Sequence, residues 1–469
     1  MTKSYYNQNA EQMRDKLNEV SPSFCLAKWT QVTLHLQNGH THSCHHPVPH
    51  FISVDELKQN KYALHNTSYK IRQRELMING QKPKECDYCW NIENLGSDHL
   101  SDRHFKSGEY WSSEYFDDII KKPLNPKFLP TYLEVSFSHG CNFSCMYCSP
   151  QVSSKWVEDI QKNGSYDLGD FKHNDLSYLK QNNLIPILER DYNPYVETFW
   201  ELWPELYQKL RVFRITGGEP LLSKHTWKTL EYIQQNPNPD LEVLINTNLG
   251  VQDSFIDRLI DIGKDLVTNN KVKRFEIYTS VESYGDQAEY IRYGLDFNKL
   301  IQNLIRLTTE IPMIKWKSKV VIMATYNLLS IPKFNQLLSW LLEYRKEYSN
   351  KEWKNIWIDI SYLRYPSWQS VKILDDKLLS IIEKDLEYMK NNDQTVVGYY
   401  GFQDTEIEKL SRVLTYAKTS IIEDQSIDKA RFVHFFKEYD SRKKLNLLDT
   451  FPELIEFHKN CQQYVENSL

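Results

Sequence analysis

The chain has 469 residues, a formal net charge of −5 and 25% charged residues, which is typical of a globular enzyme of two or three domains. The charge gives no basic footprint for nucleic acid, and no segment reaches the roughly 18 apolar residues of a membrane span. The polar N-terminus has no apolar signal-peptide region. Eight cysteines are too few for a disulfide scaffold, so we expect a cytoplasmic protein whose cysteines bind metal or act in catalysis.

The N-terminal part of the chain carries half of the cysteines. Residues 24–36 alternate between apolar and polar side chains and end at Asn38-Gly39, which predicts a β-hairpin. The hairpin and a later C-x2-C motif bring together four thiols: Cys25, Cys44, Cys86 and Cys89. Four thiolates suit either zinc or an iron–sulfur cluster, and both alternatives stay open. Imidazole could also replace one thiolate, because several histidines lie nearby: His40, His42, His45, His46 and His50.

A second cysteine motif follows the strand-like run Thr131–Ser138. Its spacing is C-x3-C-x2-C, and its members are Cys141, Cys145 and Cys148. A [4Fe–4S] cluster normally takes four thiolates, so three on one loop leave one iron open. An open position distinguishes a catalytic metal site from a structural one. A zinc-binding loop is the alternative interpretation of this triplet.

The triplet, with Tyr147 at its aromatic position, resembles the C-x3-C-x-aromatic-C signature of the radical S-adenosylmethionine (radical SAM) superfamily. The resemblance implies that the open iron binds the amino and carboxylate groups of SAM. One electron then cleaves SAM, and the 5′-deoxyadenosyl radical takes a hydrogen from substrate. In such enzymes the cofactor carries the chemistry and the protein orients it. The resemblance also implies a flavodoxin- or ferredoxin-type protein reductant.

A Gly-Gly-Glu-Pro motif follows the β-rich run 211–216. Glycines permit close approach of the backbone to a ligand, and an ionised glutamate accepts hydrogen bonds from an ammonium group. In radical SAM proteins this motif receives the SAM amino group. The resemblance therefore assigns SAM binding to Gly217, Gly218 and Glu219.

From this motif onward the chain alternates strands and helices, as βα repeats do. We expect six strands, at 131–138, 211–216, Leu241–Asn246, Lys273–Val281, Lys317–Thr325 and Trp353–Tyr362. We expect helices at Lys224–Gln235, Asp253–Lys264, Leu300–Glu310 and Pro332–Glu347. The long connection 149–210 is predicted to be helical with a hairpin-like or irregular piece around Asn193-Pro194. The strand count resembles the partial (βα)6 TIM-like barrel of radical SAM enzymes.

The fold class is therefore predicted as α/β: a partial (βα)6 barrel with a small cysteine-rich α+β hairpin domain before it and a helical region after it. The predicted segments are 1–122 for the N-terminal helix, the cysteine-rich domain and the linker, 123–370 for the barrel, and 371–469 for the helical region. The C-terminal helices are expected at Asp375–Asn391, Asp404–Lys418, Asp428–Tyr439 and Pro452–Glu466.

Functional groups of such barrels lie at the C-terminal ends of the strands. This rule predicts that Asn248 and Ser280 contact the ribose or carboxylate of SAM. Glu282 is predicted to bind ribose hydroxyls or to act as an acid–base group on substrate. Arg292 lies where related enzymes keep an arginine for the SAM carboxylate, which a guanidinium binds in a bidentate manner.

The order of the N-terminal cysteines, a lone Cys, then G-x4-C, then C-x2-C, resembles the twitch domain, a shortened relative of the SPASM domain. That domain holds one auxiliary [4Fe–4S] cluster, here placed before the barrel. The resemblance implies an oxidising or bond-forming reaction on a peptide or a small polar metabolite, with electron transfer to the auxiliary cluster. Two alternatives stay open: a non-catalytic iron–sulfur or zinc protein that senses redox state or acts as a scaffold, and a radical SAM tRNA-modifying enzyme.

Overall fold

The computed structural model describes residues 5–96, 98–172, 174–349, 353–419 and 424–465, and all eight cysteines lie within these ranges. The described chain divides into two compact units. Unit 1 comprises the described residues of Met1–Ser138, Pro186–Gly217 and Asn238–Leu244, and unit 2 those of His139–Ile185, Gly218–Pro237 and Ile245–Leu469. Within the described ranges, no helix is both long and apolar enough to cross a membrane.

The strands of the described residues are named in chain order. They are β1 (Gln31–His35), β2 (His40–His42), β3 (His50–Phe51), β4 (Tyr132–Ser136), β5 (Ser144–Cys145), β6 (Val212–Thr216), β7 (Asn238–Thr247), β8 (Val272–Ser280), β9 (Arg292–Tyr293), β10 (Ser318–Tyr326) and β11 (Ile356–Tyr362).

The hairpin predicted at Asn38-Gly39 is present in unit 1. Strand β1 pairs antiparallel with β2, and Gly39 takes the positive φ of 69° that such a turn requires. The opposite edge of β1 pairs in parallel with β4, with His35 opposite Ser136, and β4 pairs in parallel with β6. Strand β1 is therefore an interior strand of its sheet, which explains why nearly all its side chains are buried.

Unit 1 also contains nine helices among its described residues. They span Tyr5–Val20, Ala27–Thr30, Val54–Gln59, Ser68–Ile78, Asp87–Glu93, Asp102–Gly108, Tyr110–Ser113, Phe116–Lys121 and Pro194–Lys209, with 3-10 turns at Lys61–Leu64 and Lys84–Cys86. The first helix buries Met13 and Leu17, four residues apart on one face, against Phe24 and Trp29. The same apolar cluster contains Cys86 and Cys89, so two of the predicted ligands lie at the edge of a hydrophobic core.

Unit 2 contains three parallel strands in the order β8-β10-β11. Strand β10 is central, with Ser318 opposite Phe275 of β8 and Val320 opposite Ile356 of β11. Its middle residues, 320–322, are buried one after another because a parallel sheet is covered on both faces.

The helices of unit 2 follow the strands and then continue to the C-terminal region. They span Ser154–Asn163, Leu176–Gln181, Lys224–Gln235, Asp253–Thr268, Asp286–Ile291, Phe297–Glu310, Phe334–Tyr348, Asp376–Asn391, Gln394–Val397, Asp404–Thr419, Ser426–Lys443, Leu447–Thr450 and Ile455–Gln462. Shorter 3-10 turns lie at Pro220–Leu222, Leu328–Lys333, Ser367–Gln369, Val371–Ile373 and Pro452–Leu454. Asp296 caps the helix Phe297–Glu310 by accepting from the backbone N–H of Lys299.

The α/β class is confirmed, and each of the six predicted strands is present within a few residues of its expected bounds. The irregular piece predicted around Asn193-Pro194 lies at residues 182–193, and the next helix begins at Pro194. The Asn193 side chain accepts from the backbone N–H of Tyr195 and Val196, and Pro194 takes the first helical position, where no N–H is needed. Glu466, the expected end of the last helix, lies outside the described residues. The three predicted segments stay a prediction.

Candidate functional sites

The loop of the cysteine triplet lies in unit 2 and is fixed by the helix that follows it. Cys141 donates its backbone N–H to the hydroxyl of Ser154 at 3.1 Å, and the Trp156 indole N–H donates to the carbonyl of Cys145 at 2.9 Å. Both side chains belong to the helix Ser154–Asn163. The positions of the thiols therefore depend on local side chain to backbone bonds of the same unit.

A short two-stranded sheet joins this loop to Arg292. Strand β5 pairs antiparallel with β9, with Cys145 opposite Arg292 and Ser144 opposite Tyr293. The Arg292 guanidinium donates to the sulfur of Cys145 at 3.5 Å. A hydrogen bond from Cys148 and the charge of Arg292 lower the pKa of the Cys145 thiol against the opposing effect of burial. The thiolate, which is the metal-binding form, is thereby favoured at this position.

Arg292 is held by a buried carboxylate and a phenol. Glu282 is fully buried and accepts from Nε of Arg292 at 2.7 Å and from Nη2 at 2.6 Å, and the Tyr147 hydroxyl donates to the same carboxylate at 2.8 Å. This bidentate pair fixes the plane of the guanidinium. The geometry favours a positioning role for Glu282, and its predicted contact with ribose or substrate stays a prediction.

The Gly-Gly-Glu-Pro motif lies directly against the start of the triplet loop. The backbone N–H of Glu219 donates to the carbonyl of Gly140 at 2.7 Å. A Cβ atom on Gly218 would stand 2.4 Å from the same carbonyl oxygen and 2.6 Å from that of His139. Only glycine permits this approach, which gives the second glycine of the motif a packing reason in addition to ligand access.

The Glu219 carboxylate is buried, with 2% of the residue exposed, and accepts three hydrogen bonds. The donors are the Thr247 hydroxyl at 2.8 Å and the backbone N–H groups of Asn248 at 2.6 Å and Leu221 at 3.0 Å. Burial raises its pKa to about 7, although these bonds oppose the shift. A carboxylate has about four lone-pair positions, so Glu219 can still accept from an ammonium group.

The remaining two predicted contacts differ in how closely they approach this site. Asn248 donates from its side chain to Oδ1 of Asn142, inside the triplet loop, at 2.8 Å, and accepts from the backbone of Gly250. Ser280 is half-buried at the C-terminal end of β8. Thr247, like Asn248, was indicated by its place at a strand end, whereas the role of Asn142 was not predicted, since it belongs to no motif with fixed spacing.

A cavity in unit 1 is lined by all four cysteines of the N-terminal set. Its walls include Cys25, Cys44, Cys86 and Cys89 together with Lys28, Met77, Trp90, Asp102 and Arg103. Cys86 closes a 3-10 turn and Cys89 lies in the next helix, so the C-x2-C motif directs two thiols to one side. Burial raises the pKa of Cys86 to about 12.

The spacing of the ligand atoms bears on what the cavity can hold. Among the described residues, only His45, His46 and Asp102 form a group of three such atoms within 4.8 Å of one another. No three of the four cysteine sulfurs are therefore that close. His46 is the one member of the predicted histidine set that lines the cavity, and its ring Nε2 donates to the Asp102 carboxylate at 2.7 Å.

Two buried ion pairs at this cavity share one orientation. Lys28 pairs with Glu85, and Arg103 pairs with Glu93 at 2.9 Å. The cations Lys28 and Arg103 line the cavity, whereas the two carboxylates do not. Burial would lower the pKa of Lys28, but the neighbouring Cys86 and Glu85 raise it. Lys28 and Arg103 thus present positive charge to the four thiols, although Asp102 adds one carboxylate to the same walls, and sequence spacing did not indicate this arrangement.

Residues 135–314 match the Radical SAM superfamily. This range contains the triplet, the Gly-Gly-Glu-Pro motif, Glu282 and Arg292, and all of these residues except Gly217 lie in unit 2. This segment of the chain is similar to the radical SAM superfamily. The similarity implies a [4Fe–4S] cluster and SAM, and the three thiols, the buried acceptor Glu219 and the close approach at Gly218 fit those groups.

Three relatives carry the name GTP 3′,8-cyclase. The protein of Sulfurimonas denitrificans (strain ATCC 33889 / DSM 1251) is 24% identical over 281 residues, which cover 60% of this chain and 69% of that one. The match to the protein of Sulfurovum sp. (strain NBC37-1) is 27% identical over 132 residues, or 28% of this chain and 31% of that one. The match to the protein of Campylobacter lari (strain RM2100 / D67 / ATCC BAA-1060) is 26% identical over 117 residues, 25% and 27% of the two chains.

Solved structures of anSMEcpe are also similar to this chain. The native protein with bound AdoMet is 14% identical, with 69% of this chain and 97% of that chain covered and a TM-score of 0.27. Its complex with AdoMet and Cp18Cys peptide is 15% identical, with coverage of 70% and 99% and a TM-score of 0.30.

Proposed function

We propose that this radical SAM enzyme carries a second, auxiliary [4Fe–4S] cluster in unit 1, which accepts an electron during an oxidation or bond-forming reaction. The substrate is a peptide or a small polar metabolite. The single observation that carries the proposal is the cavity in unit 1, into which four cysteines and the cationic ends of two buried ion pairs are directed.

In unit 2 the cysteine triplet and the polar side chains beside it would have separate roles. Cys141, Cys145 and Cys148 would hold the SAM-binding cluster, which when bound supplies the one-electron cleavage of a sulfonium carbon–sulfur bond. Glu219, in its ionised form, accepts from the SAM amino group. Arg292 binds the SAM carboxylate, and Glu282 and Tyr147 keep the guanidinium in the required plane.

The sulfur spacing in unit 1 favours a cluster over a single zinc ion. Four thiolates at about 2.3 Å from one zinc would stand about 3.8 Å apart at tetrahedral angles. No three of the four sulfurs lie within 4.8 Å of one another in the described chain. A cluster separates its thiolates more widely, because each binds a different iron. Four cysteine ligands would leave no open iron, so the group would exchange electrons without binding substrate.

The orientation of the ion pairs supports an electron-accepting role. Lys28 and Arg103 stand closer to the cavity than their carboxylate partners, so each pair stabilises negative charge inside it. Reduction adds one negative charge to whatever the four thiolates hold. In a poorly solvated cavity such nearby cations favour the reduced state. This is the charge arrangement expected at an acceptor.

A nucleotide is a second candidate substrate. The observation in its favour is that the three relatives above are named GTP 3′,8-cyclase, at 24–27% identity. Incubating the reduced protein with SAM and GTP, and separately with GTP alone, tests this candidate. Conversion of GTP only in the presence of SAM would support it, and unchanged GTP beside accumulating 5′-deoxyadenosine would contradict it.

The main proposal is tested by counting metals and measuring SAM cleavage in anaerobically reconstituted protein. The wild type should hold about eight irons in two clusters and form 5′-deoxyadenosine after reduction by dithionite. A variant with alanine at Cys141, Cys145 and Cys148 should keep about half the iron and lose cleavage. The variant Cys86→Ala/Cys89→Ala should also keep about half the iron but retain cleavage, provided circular dichroism shows that it is folded. One zinc and about four irons in the wild type would contradict the auxiliary cluster.

A further inference from the structure

A basic pocket lies in unit 2, where strands β8 and β10 begin. Residues near the start of both strands line it, among them Arg274 of β8 and Lys319 of β10. Ser280 and Glu282, which are predicted to contact SAM or substrate, lie at and beyond the other end of β8. Residues 274 and 280 are about 20 Å apart at the rise of a strand. The pocket is therefore separate from the predicted SAM site.

The lining of this pocket carries an excess of positive charge, although the net charge of the chain is −5. Its cations are Arg274, Lys315, Lys317 and Lys319. Among its described lining residues Glu276 is the one carboxylate, and it pairs with Lys319 at 3.2 Å and with Arg274 at 3.5 Å. Lys317 donates to the neutral side-chain oxygen of Asn270. One carboxylate does not balance four cations, so the pocket is complementary to an anion.

Three indole rings form one wall of the same pocket. The centre of the Trp353 ring lies 5.2 Å from that of Trp316 and 5.3 Å from that of Trp357, with interplanar angles of 53° and 52°. The N–H groups of Trp353 and Trp357 donate to backbone carbonyls at 3.2 and 3.1 Å. Trp316 is 67% exposed and offers a large apolar surface. The mutual tilt makes the wall concave, which suits one planar ring system better than a row of them.

Trp316 has a backbone conformation that bulky residues rarely adopt. Its φ is +65°, in the left-handed region. The backbone N–H groups of Lys317 and Ser318 close the turn by donating to the carbonyl of Ile314 at 2.9 and 3.0 Å. Arg274 donates from Nε to the carbonyl of Trp316 at 3.3 Å. The turn thus keeps a strained tryptophan exposed between two lysines, where glycine would fit without strain, and such an outlier indicates a function for the side chain.

We propose that this pocket binds a nucleoside triphosphate, with the base against the tryptophan wall and the phosphates among the four cations. A base has flat faces on which an indole stacks, and a triphosphate supplies the negative charge that the lining lacks. A single strand of nucleic acid would need several exposed rings in a row, whereas Trp316 is the one largely exposed ring of this wall. The ligand is bound and released unchanged, so the inference does not depend on the proposed function. A nucleotide substrate would have to bind elsewhere, near the thiols of the triplet.

The first experiment titrates the full chain with ATP, adenosine and tripolyphosphate by calorimetry. ATP should bind more tightly than either of the others, because each of those retains only one half of the interaction. In K315E/K317E the affinity for ATP should fall at least about tenfold, and in the wild type it should weaken as salt screens the cations. The control K121E/K122E reverses two exposed lysines of unit 1, changes the net charge equally and should bind ATP as the wild type does.

A second variant, Trp316→Gly, separates a binding role of the tryptophan from a structural one. Glycine adopts the positive φ without strain, so the free energy of unfolding should change little. The affinity for ATP should nevertheless fall about tenfold because the stacking surface is lost, whereas that for tripolyphosphate should not change. Tyr192→Gly removes a ring that is 78% exposed in unit 1, and this control should keep the affinity for ATP. Denaturant unfolding and calorimetry measure the two effects.

Several outcomes would overturn the nucleotide site. These are no ATP binding by the wild type, unchanged affinity in K315E/K317E or in Trp316→Gly, and an equal loss in the control variants. Tripolyphosphate that bound as tightly as ATP would indicate a simple anion site instead. A single-stranded oligonucleotide that bound more tightly and displaced ATP would indicate a nucleic-acid site. Dithionite-driven formation of 5′-deoxyadenosine by K315E/K317E should equal that of the wild type, and its loss would mean that the lysines act on the SAM site.

Discussion

Arg292 and Glu282 form a bidentate ion pair in which both partners are almost entirely removed from solvent, with 6% and 0% of the residues exposed. Breaking a buried pair leaves an uncompensated charge and costs about 3–5 kcal/mol, whereas exposed pairs contribute about 1 kcal/mol or less. The pair is therefore a major determinant of where the guanidinium points.

The substitution Glu282→Gln should lower the free energy of unfolding by about 3 kcal/mol and weaken SAM binding about tenfold or more, with iron content unchanged. The amide replaces one acceptor by a donor that opposes the guanidinium. Denaturant unfolding and calorimetric SAM titration measure the two effects. Glu310→Gln, at the half-exposed pair with Arg306, is the matched control and should change stability by less than about 1 kcal/mol. Normal SAM affinity with loss of substrate conversion alone would instead indicate an acid–base role for Glu282.

The substitution Gly218→Ala should displace the triplet loop. The added Cβ would stand 2.4 Å from a backbone carbonyl oxygen, which has no flexible end to move aside. We expect the iron bound by the triplet and the dithionite-driven SAM cleavage to fall at least about tenfold, with the circular dichroism spectrum retained. Gly108→Ala, whose Cβ would meet the side chain of Asn9 at 3.3 Å, is the control and should keep both. Wild-type cleavage by Gly218→Ala would contradict the packing argument.

SAM affinity should depend on pH through Glu219. Burial raises the pKa of this carboxyl to about 7. Below that pH the carboxyl is protonated, so it carries no negative charge to attract the ammonium group of SAM. Affinity should therefore rise as pH increases through about 7, and fall again as the SAM amino group loses its proton above about 8. Calorimetry between about pH 6 and 9 measures this profile. In Glu219→Gln the rise near 7 should be absent, and a retained rise would exclude Glu219 as its origin.

The raised pKa of Glu219 should also make the free energy of unfolding depend on pH. A folded-state pKa above the unfolded value stabilises the folded protein at low pH, and this contribution is lost as pH rises through about 7. Metal-free wild-type protein should accordingly show a decrease in unfolding free energy between about pH 4.5 and 7 that is reduced in Glu219→Gln. An identical slope in both proteins would mean that other groups dominate.

Removing the inward-facing cation at the unit 1 cavity should lower the midpoint potential of the group bound there. The double substitution Lys28→Met/Glu85→Gln removes the pair without leaving a buried charge. We expect at least a tenfold shift of the reduction equilibrium, which is 59 mV for one electron. An anaerobic redox titration followed by electron paramagnetic resonance measures it, with the SAM-binding cluster as internal reference. The exposed pair Lys58 with Asp55, changed to Met and Asn, is the control and should leave the potential unchanged.

Local sequence patterns predicted the elements of this chain well. The helix Lys224–Gln235 and the strands near 131–138 and 211–216 occur where periodicity and turn residues placed them. The spacings C-x2-C and C-x3-C-x2-C predicted Cys86 with Cys89 and the triplet, because each is short along the chain, whereas Cys25 and Cys44 were added from the predicted hairpin. Fixed spacing along the chain is what made these features visible.

Contacts that join distant parts of the chain were not predictable in this way. Tyr147 and Glu282 meet across 135 positions, and Lys28 meets Glu85 across 57, with no periodic signal linking either pair. Glu282 was predicted to be functional because it follows a strand, but its partners Arg292 and Tyr147 are evident only from the fold. The direction in which a buried ion pair faces a cavity is likewise a property of packing and not of spacing.

The parallel pairing of β1 with β4 has a consequence for synthesis of the chain. Strand β1 and its hairpin partner leave the ribosome well before β4, and until β4 arrives one edge of β1 has no partner. Unpaired edges recruit other strands, including those of neighbouring nascent chains. The free edge of β1 is thus the edge with which β4, the strand before the triplet, must pair. A delay in the synthesis of residues 132–136 should leave this edge of β1 unpaired for longer. Synonymous codon changes that slow translation between β2 and β4 should therefore increase aggregation, although the amino-acid sequence is unchanged.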